Sequence, residues 1–116
     1  MATKGIRGAI TVNNNTVDDI REGTLTLLDE IMAKNNIKIE KISHIIFTLT
    51  PDLTAAFPAK FARMERNFQN TAMMCFNEAN VEGAIQKCIR ILIVLNCDEN
   101  FIPQFVYLRG AENLRK

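Results

Sequence analysis

"KCIRILIVLN", residues 87–96, poses the question on which the fold turns, because a single cation stands inside an otherwise aliphatic run. Two-residue alternation puts Arg90 on the same face as Cys88, Leu92 and Val94. The stretch reads as a core strand, spanning roughly 85–96 by pattern. A guanidinium buried without a partner costs several kcal/mol, so an anion must lie beside Arg90. That anion is either a carboxylate of the protein, with an edge position and a snorkelling side chain as a variant, or a carboxylate of a ligand.

Working outward, "KGIRGAITV" (4–12) is rich in strand formers, and "NNNT" is a turn. Thr16 and Asp19 have the spacing of an N-terminal cap, and Val17, Ile20, Leu27, Leu28, Ile31 and Met32 then share one helical face, with Gly23 as a weak point, until "KNN" closes the segment near Asn36. "KISHIIFTLT" (41–50) is a second strand that Pro51 terminates, and Pro58 opens a short helix. "NTAMMCF" (70–76) and "FVYLR" (105–109) supply two further strands on either side of the Arg90 strand. The order is βαβαβ followed by two strands. It predicts an α/β (α+β) fold in which residues 1–116 form one domain, a five-stranded mixed sheet with one long and one short helix packed on one side.

Composition narrows the function. The chain has 116 residues, 47% apolar and 23% charged, with a net charge of +1 and no basic stripe, which argues against nucleic acid or a membrane as partner. No signal-peptide or membrane-spanning run stands out, so a cytoplasmic location is expected. Cys75, Cys88 and Cys97, with His44 the one histidine, form neither a disulfide framework nor a zinc pattern; reduced thiols are expected and no metal.

Arg7 in "GIRGA" is a second strand arginine, between Gly5 and Gly8, which mark a bulge, a packing contact or close approach of a ligand. Two such arginines in a small sheet point to bidentate recognition of a multiply anionic small molecule. "MCFNE" places Cys75 near Glu78; a thiol with a base is one reading, and a buried small residue beside a surface carboxylate is the other. Phe57, Lys60 and Arg63 are either a cleft wall or one core aromatic with two solvated charges. Tyr107 either packs in the core or donates to a ligand carboxylate.

"GIRGAITV", "TLTPDLTAAFPAK", "MCFNE", "KCIRILIV" and "VYL", in this order and spacing, resemble the trimeric, non-helical class of monofunctional chorismate mutases over nearly the whole chain. The resemblance implies a homotrimeric pseudo-α/β barrel with active sites between subunits. It further implies isomerisation of chorismate to prephenate on the route to phenylalanine and tyrosine. By similarity Arg90 faces the ether oxygen and a carboxylate of the substrate dianion, while Arg7 and Tyr107 hold carboxylates. Glu78, with Cys75, surrounds the ring hydroxyl. Phe57 and Ala59 form the cleft wall, Lys60 stands at its mouth, and Arg63 either supports the site from behind or orders the tail. Met73 and Met74 line the pocket, Met74 standing where a small or hydroxyl-bearing residue is expected. The short tail leaves Leu114 and Arg115 within reach of the site. A Claisen rearrangement uses no nucleophile, metal or cofactor, so none is expected. Two alternatives stay open: a trimeric enamine or imine deaminase, and a dicarboxylate-binding module without turnover.

Overall fold

Thr16 decides where the long helix begins. In the computed structural model, which describes residues 1–114, its hydroxyl accepts the Asp19 N–H at 3.1 Å and α1 runs Val17–Asn35. Asp18 and Asp19 sit at the positive end of the helix dipole. Asn36 ends the helix in the left-handed region at φ 50°, and the Ile37 N–H reaches back to the Met32 carbonyl at 3.2 Å.

The strands are β1 (Ala2–Thr11), β2 (Ile42–Leu49), β3 (Ala72–Asn77), β4 (Cys88–Cys97) and β5 (Val106–Leu108), and the short helix α2 spans Pro58–Glu65 with Pro58 in its first turn. They form one sheet in the order β3-β2-β4-β1-β5. β4 is central and antiparallel to both β1 and β2, whereas β3 runs parallel to β2 and β5 parallel to β1. This is the mixed sheet with one long and one short helix that the sequence order predicts. The Arg90 strand starts at Cys88, later than its pattern indicates, because Lys87 turns at φ 50°.

Both helices lie on one face. Ile6 and Ile10 of β1, Ile45 and Phe47 of β2, and Ile89, Ile91 and Ile93 of β4 are buried there with Ile20, Leu27, Leu28 and Ile31 of α1. Each such side chain contributes at most about 1.5–3 kcal/mol. Two glycines let α1 come close: a β-carbon on Gly8 would stand 2.6 Å from Ile31 Cδ1 and 3.1 Å from Leu27 Cδ1, and one on Gly23 would stand 2.6 Å from Val12 Cγ1. Gly8 therefore serves helix packing and not the approach of a ligand. α2 is clasped to α1 by two arginine forks, Arg21 on Glu65 and Arg66 on Asp29, the latter at 2.7 and 2.9 Å.

Neither α1 nor α2 lies over the opposite face. It carries Arg7 and Ala9 of β1, Ile46 and Thr48 of β2, Met74 and Phe76 of β3, and Arg90, Leu92 and Val94 of β4. Met74 is 61% and Phe76 46% exposed.

Candidate active site

Strand register lines up the polar groups of this open face. Arg90 pairs with Ala9 on one side and Thr48 on the other, and Ala9 in turn pairs with Tyr107, so Thr48, Arg90, Ala9 and Tyr107 form one row across four strands. Adjacent strands are about 4.8 Å apart. The next row contains Ile46, Leu92 and Arg7, which places Arg7 diagonal to Arg90. Arg7, Ile46, Thr48, Arg90 and Leu92 together line a shallow depression of about 200 Å³.

Arg90 has a carboxylate beside it. Glu78, just past the end of β3, reaches back so that its Oε2 lies 3.1 Å from Arg90 Nε and accepts the Thr48 hydroxyl at 2.5 Å. The side chains are 29% exposed for Arg90 and 17% for Glu78, so Glu78 is not the surface carboxylate that one sequence reading allows. Arg90 Nε is buried and makes no aligned hydrogen bond, so the contact is an ion pair. The resemblance alone names the substrate as the counter-ion of Arg90; the fold adds one of its own.

Tyr107 lies in the same row with its hydroxyl buried and, among the described residues, without a hydrogen-bond partner. With it, Ala9, Cys88, Ala111, Ile85 and Leu114 form a second apolar cluster, so residues 107–114 fold onto the open face. Leu114 packs on the same cluster as Tyr107, whereas Arg115 lies outside the described residues. Burial pushes the Cys88 thiol up to about 11, with the neighbouring Arg90 cation opposing the shift.

The remaining candidates sit elsewhere. Cys75 and Met73 point to the helix side and pack on the main core, and burial raises the Cys75 thiol pKa against the opposing contact from the Ala59 backbone. Cys75 and Glu78 therefore face different ways within one chain. Met73 and Met74, as strand neighbours, are likewise on opposite faces, so their side chains do not line one pocket from the same subunit. Ala59 is buried, while Phe57 (71% exposed), Lys60 and Arg63 project outward from α2. Phe57 and Lys60 border a separate cleft of about 480 Å³ with Val17, Leu49 and Asn77. His44 is half-buried on the inner strand β2, with its Nδ1 3.1 Å from the Ser43 hydroxyl.

Sequence reasoning missed Thr48. It shares two-residue alternation with Ile46, but nothing in the sequence says that β2 and β4 pair so that Thr48 falls opposite Arg90.

Among the described residues, no helix is long and apolar enough to cross a membrane. The family model for type I chorismate mutase matches residues 3–116. The chain is 37% identical to the chorismate mutase AroH of Bacillus subtilis, over 99% of this chain and 91% of that protein. It is 39% identical to the chorismate mutase AroH of Thermus thermophilus, over 97% and 93%. The solved chorismate mutase from Clostridium thermocellum superposes with a TM-score of 0.87 at 46% identity, covering 93% of this chain and 96% of that one. Full-length agreement in sequence and in fold leads to one assignment: the chain belongs to the type I chorismate mutase family.

Proposed function

We propose that the protein isomerises chorismate to prephenate on the open face of the sheet, in clefts completed between the subunits of a homotrimer. The observation that carries this reading is the row holding Arg90, paired with Glu78 over Thr48, together with the Tyr107 hydroxyl, which has no partner among the described residues, and with Arg7 on the diagonal. A dianion meets two guanidinium groups there, with the buried Tyr107 hydroxyl in the same row.

The chemistry is conformational and electrostatic. Arg7 and Tyr107 hold the carboxylates so that the enolpyruvyl arm lies over the ring, which removes the entropy of reaching a reactive conformer. As the C–O bond breaks ahead of C–C bond formation, negative charge grows on the ether oxygen, and the Arg90 guanidinium stabilises that charge more than the ground state. Glu78 accepts from the ring hydroxyl while holding Arg90 in place. An acceleration of about 10⁶ requires roughly 8 kcal/mol, which several such contacts must share.

The trimer explains the split among the candidates. β3, at one edge of the sheet, is three strands from β1, about 14 Å away, and α2 stands on the other face. A ligand held by Arg7 and Arg90 cannot reach Phe57, Lys60 or Arg63 of its own chain. The second chain supplies Phe57, Lys60 and Arg63 to the cleft, and the exposed Met74 and Phe76 with Ile46 and Leu92 are then covered by a neighbouring sheet. Three free cysteines support a reducing, cytoplasmic setting. The test is to add purified protein to chorismate and follow its ultraviolet absorbance. Loss of absorbance with formation of an isomer supports the reading, and unchanged chorismate removes it.

A further inference from the structure

We infer that Thr50 and Asp52 form a clamp that positions Arg90 and Glu78 for the proposed reaction, an inference that rests on the reading of the open face as the active site. β2 lies between β3 and β4, so the residues that follow it can touch both ends of the connection 78–87. They do. The Leu49 carbonyl accepts the Glu78 N–H at 2.9 Å. Thr50, which is buried, donates its N–H to the Cys88 carbonyl at 3.1 Å and accepts the Cys88 N–H on its hydroxyl at 3.0 Å. The hydroxyl proton goes to Asp52 Oδ1 at 2.6 Å. The same carboxylate accepts the Lys87 N–H, at 2.9 Å on Oδ2 and 3.2 Å on Oδ1.

Lys87 needs this hold. Its φ of 50° is disfavoured for a residue with a β-carbon. Asp52 captures its N–H, Val12 donates to its carbonyl at 2.9 Å, and Thr50 fixes the next residue on both backbone groups. Packing does not do this job, because residues 79–84 are exposed apart from the connection's ends and only Ile85 between Glu78 and Cys88 is half-buried. The turn at Lys87 sets the direction in which the chain enters β4, three residues before Arg90. Losing it loosens the frame that Glu78 and Arg90 share.

A displacement of about 1 Å at a reacting centre can cost on the order of 100-fold in rate. Asp52→Ala should therefore lower kcat and kcat/KM together by about 10- to 100-fold, with KM little changed. Asp52→Asn keeps an acceptor for Lys87 and should restore activity to within about 3-fold. Amide hydrogen exchange at Lys87 and Cys88 should quicken in Asp52→Ala and not in Asp52→Asn. Lys87→Gly, which removes the steric cost of φ 50°, should make the Asp52→Ala change less harmful. Should Asp52→Ala not fold, Thr50→Val probes the same clamp, with the same predicted fall in kcat. A wild type without turnover removes the functional reading. A wild type with turnover, and a clamp variant that exchanges faster at Lys87 yet keeps its kcat, overturns the inference.

Discussion

Arg90→Met tests how the open face is held together. The change removes the guanidinium and leaves the Glu78 carboxylate, 17% exposed, with the Thr48 hydroxyl as its remaining polar contact. Breaking a fully buried pair costs about 3–5 kcal/mol. Arg90 is 29% exposed and Thr48 continues to serve the carboxylate, so the cost here should be smaller, about 1–3 kcal/mol. For a chain of this size that is a fall in Tm of roughly 4 to 20 °C. Glu78→Leu should cost a similar amount, since it strands the cation instead. The double variant leaves no uncompensated charge and should be as stable as the wild type or more so, while all three lack turnover. Calorimetry at pH 7 without ligand, with activity measured in parallel, gives the comparison. Arg90→Met melting at or above the wild type, or single effects that merely add, would refute the pairing and make the ligand the sole counter-ion of Arg90.

Gly8→Val should prevent or severely weaken folding, because its β-carbon alone would stand 2.6 Å from Ile31 Cδ1 and 3.1 Å from the Val106 carbonyl; the expected loss is at least about 1–3 kcal/mol in denaturant titration. The raised Cys88 pKa makes stability sensitive to alkali: the folded thiol stays neutral while the unfolded thiol ionises above its ordinary value of 9.0, so stability should decline from there until about pH 11, and Cys88→Ala should flatten that decline in urea melts at stepped pH. In mixed trimers, Arg90→Met chains combined with Lys60→Ala chains should regain activity, whereas Arg90→Met with Arg7→Ala should not, because Arg7 and Arg90 lie on one face of one chain. Recovery in the second mixture alone would reverse the proposed division of the site.

The element order and the helix cap were legible because they depend on neighbours in sequence: Thr16 with Asp19, Pro58 at the start of α2, and the alternation of β4. The position of Arg90 on the face with Leu92 and Val94 followed from the same alternation. Its partner did not. Glu78 reaches Arg90 only because β2 separates β3 from β4 and Thr48 bridges them, a relation set by strand order. Gly8 was ambiguous for a similar reason: the pattern shows a small residue in a strand, and only the packing of α1 tells which side needs the space. Cys75 and Glu78, three residues apart, look adjacent in sequence, yet the strand's pleat and its end send them to different faces. The segment "TPDL" was legible as distinctive but not as a clamp, since its partners Lys87 and Cys88 lie more than thirty residues away.

Charge and geometry on the open face should suffice for an intramolecular rearrangement. The direct measurement is to convert chorismate with the wild-type protein in D₂O and analyse the product by mass spectrometry and NMR. Prephenate is expected, of the same mass as chorismate, with no deuterium bound to carbon. Deuterium at carbon, or a product carrying an added water, would contradict it.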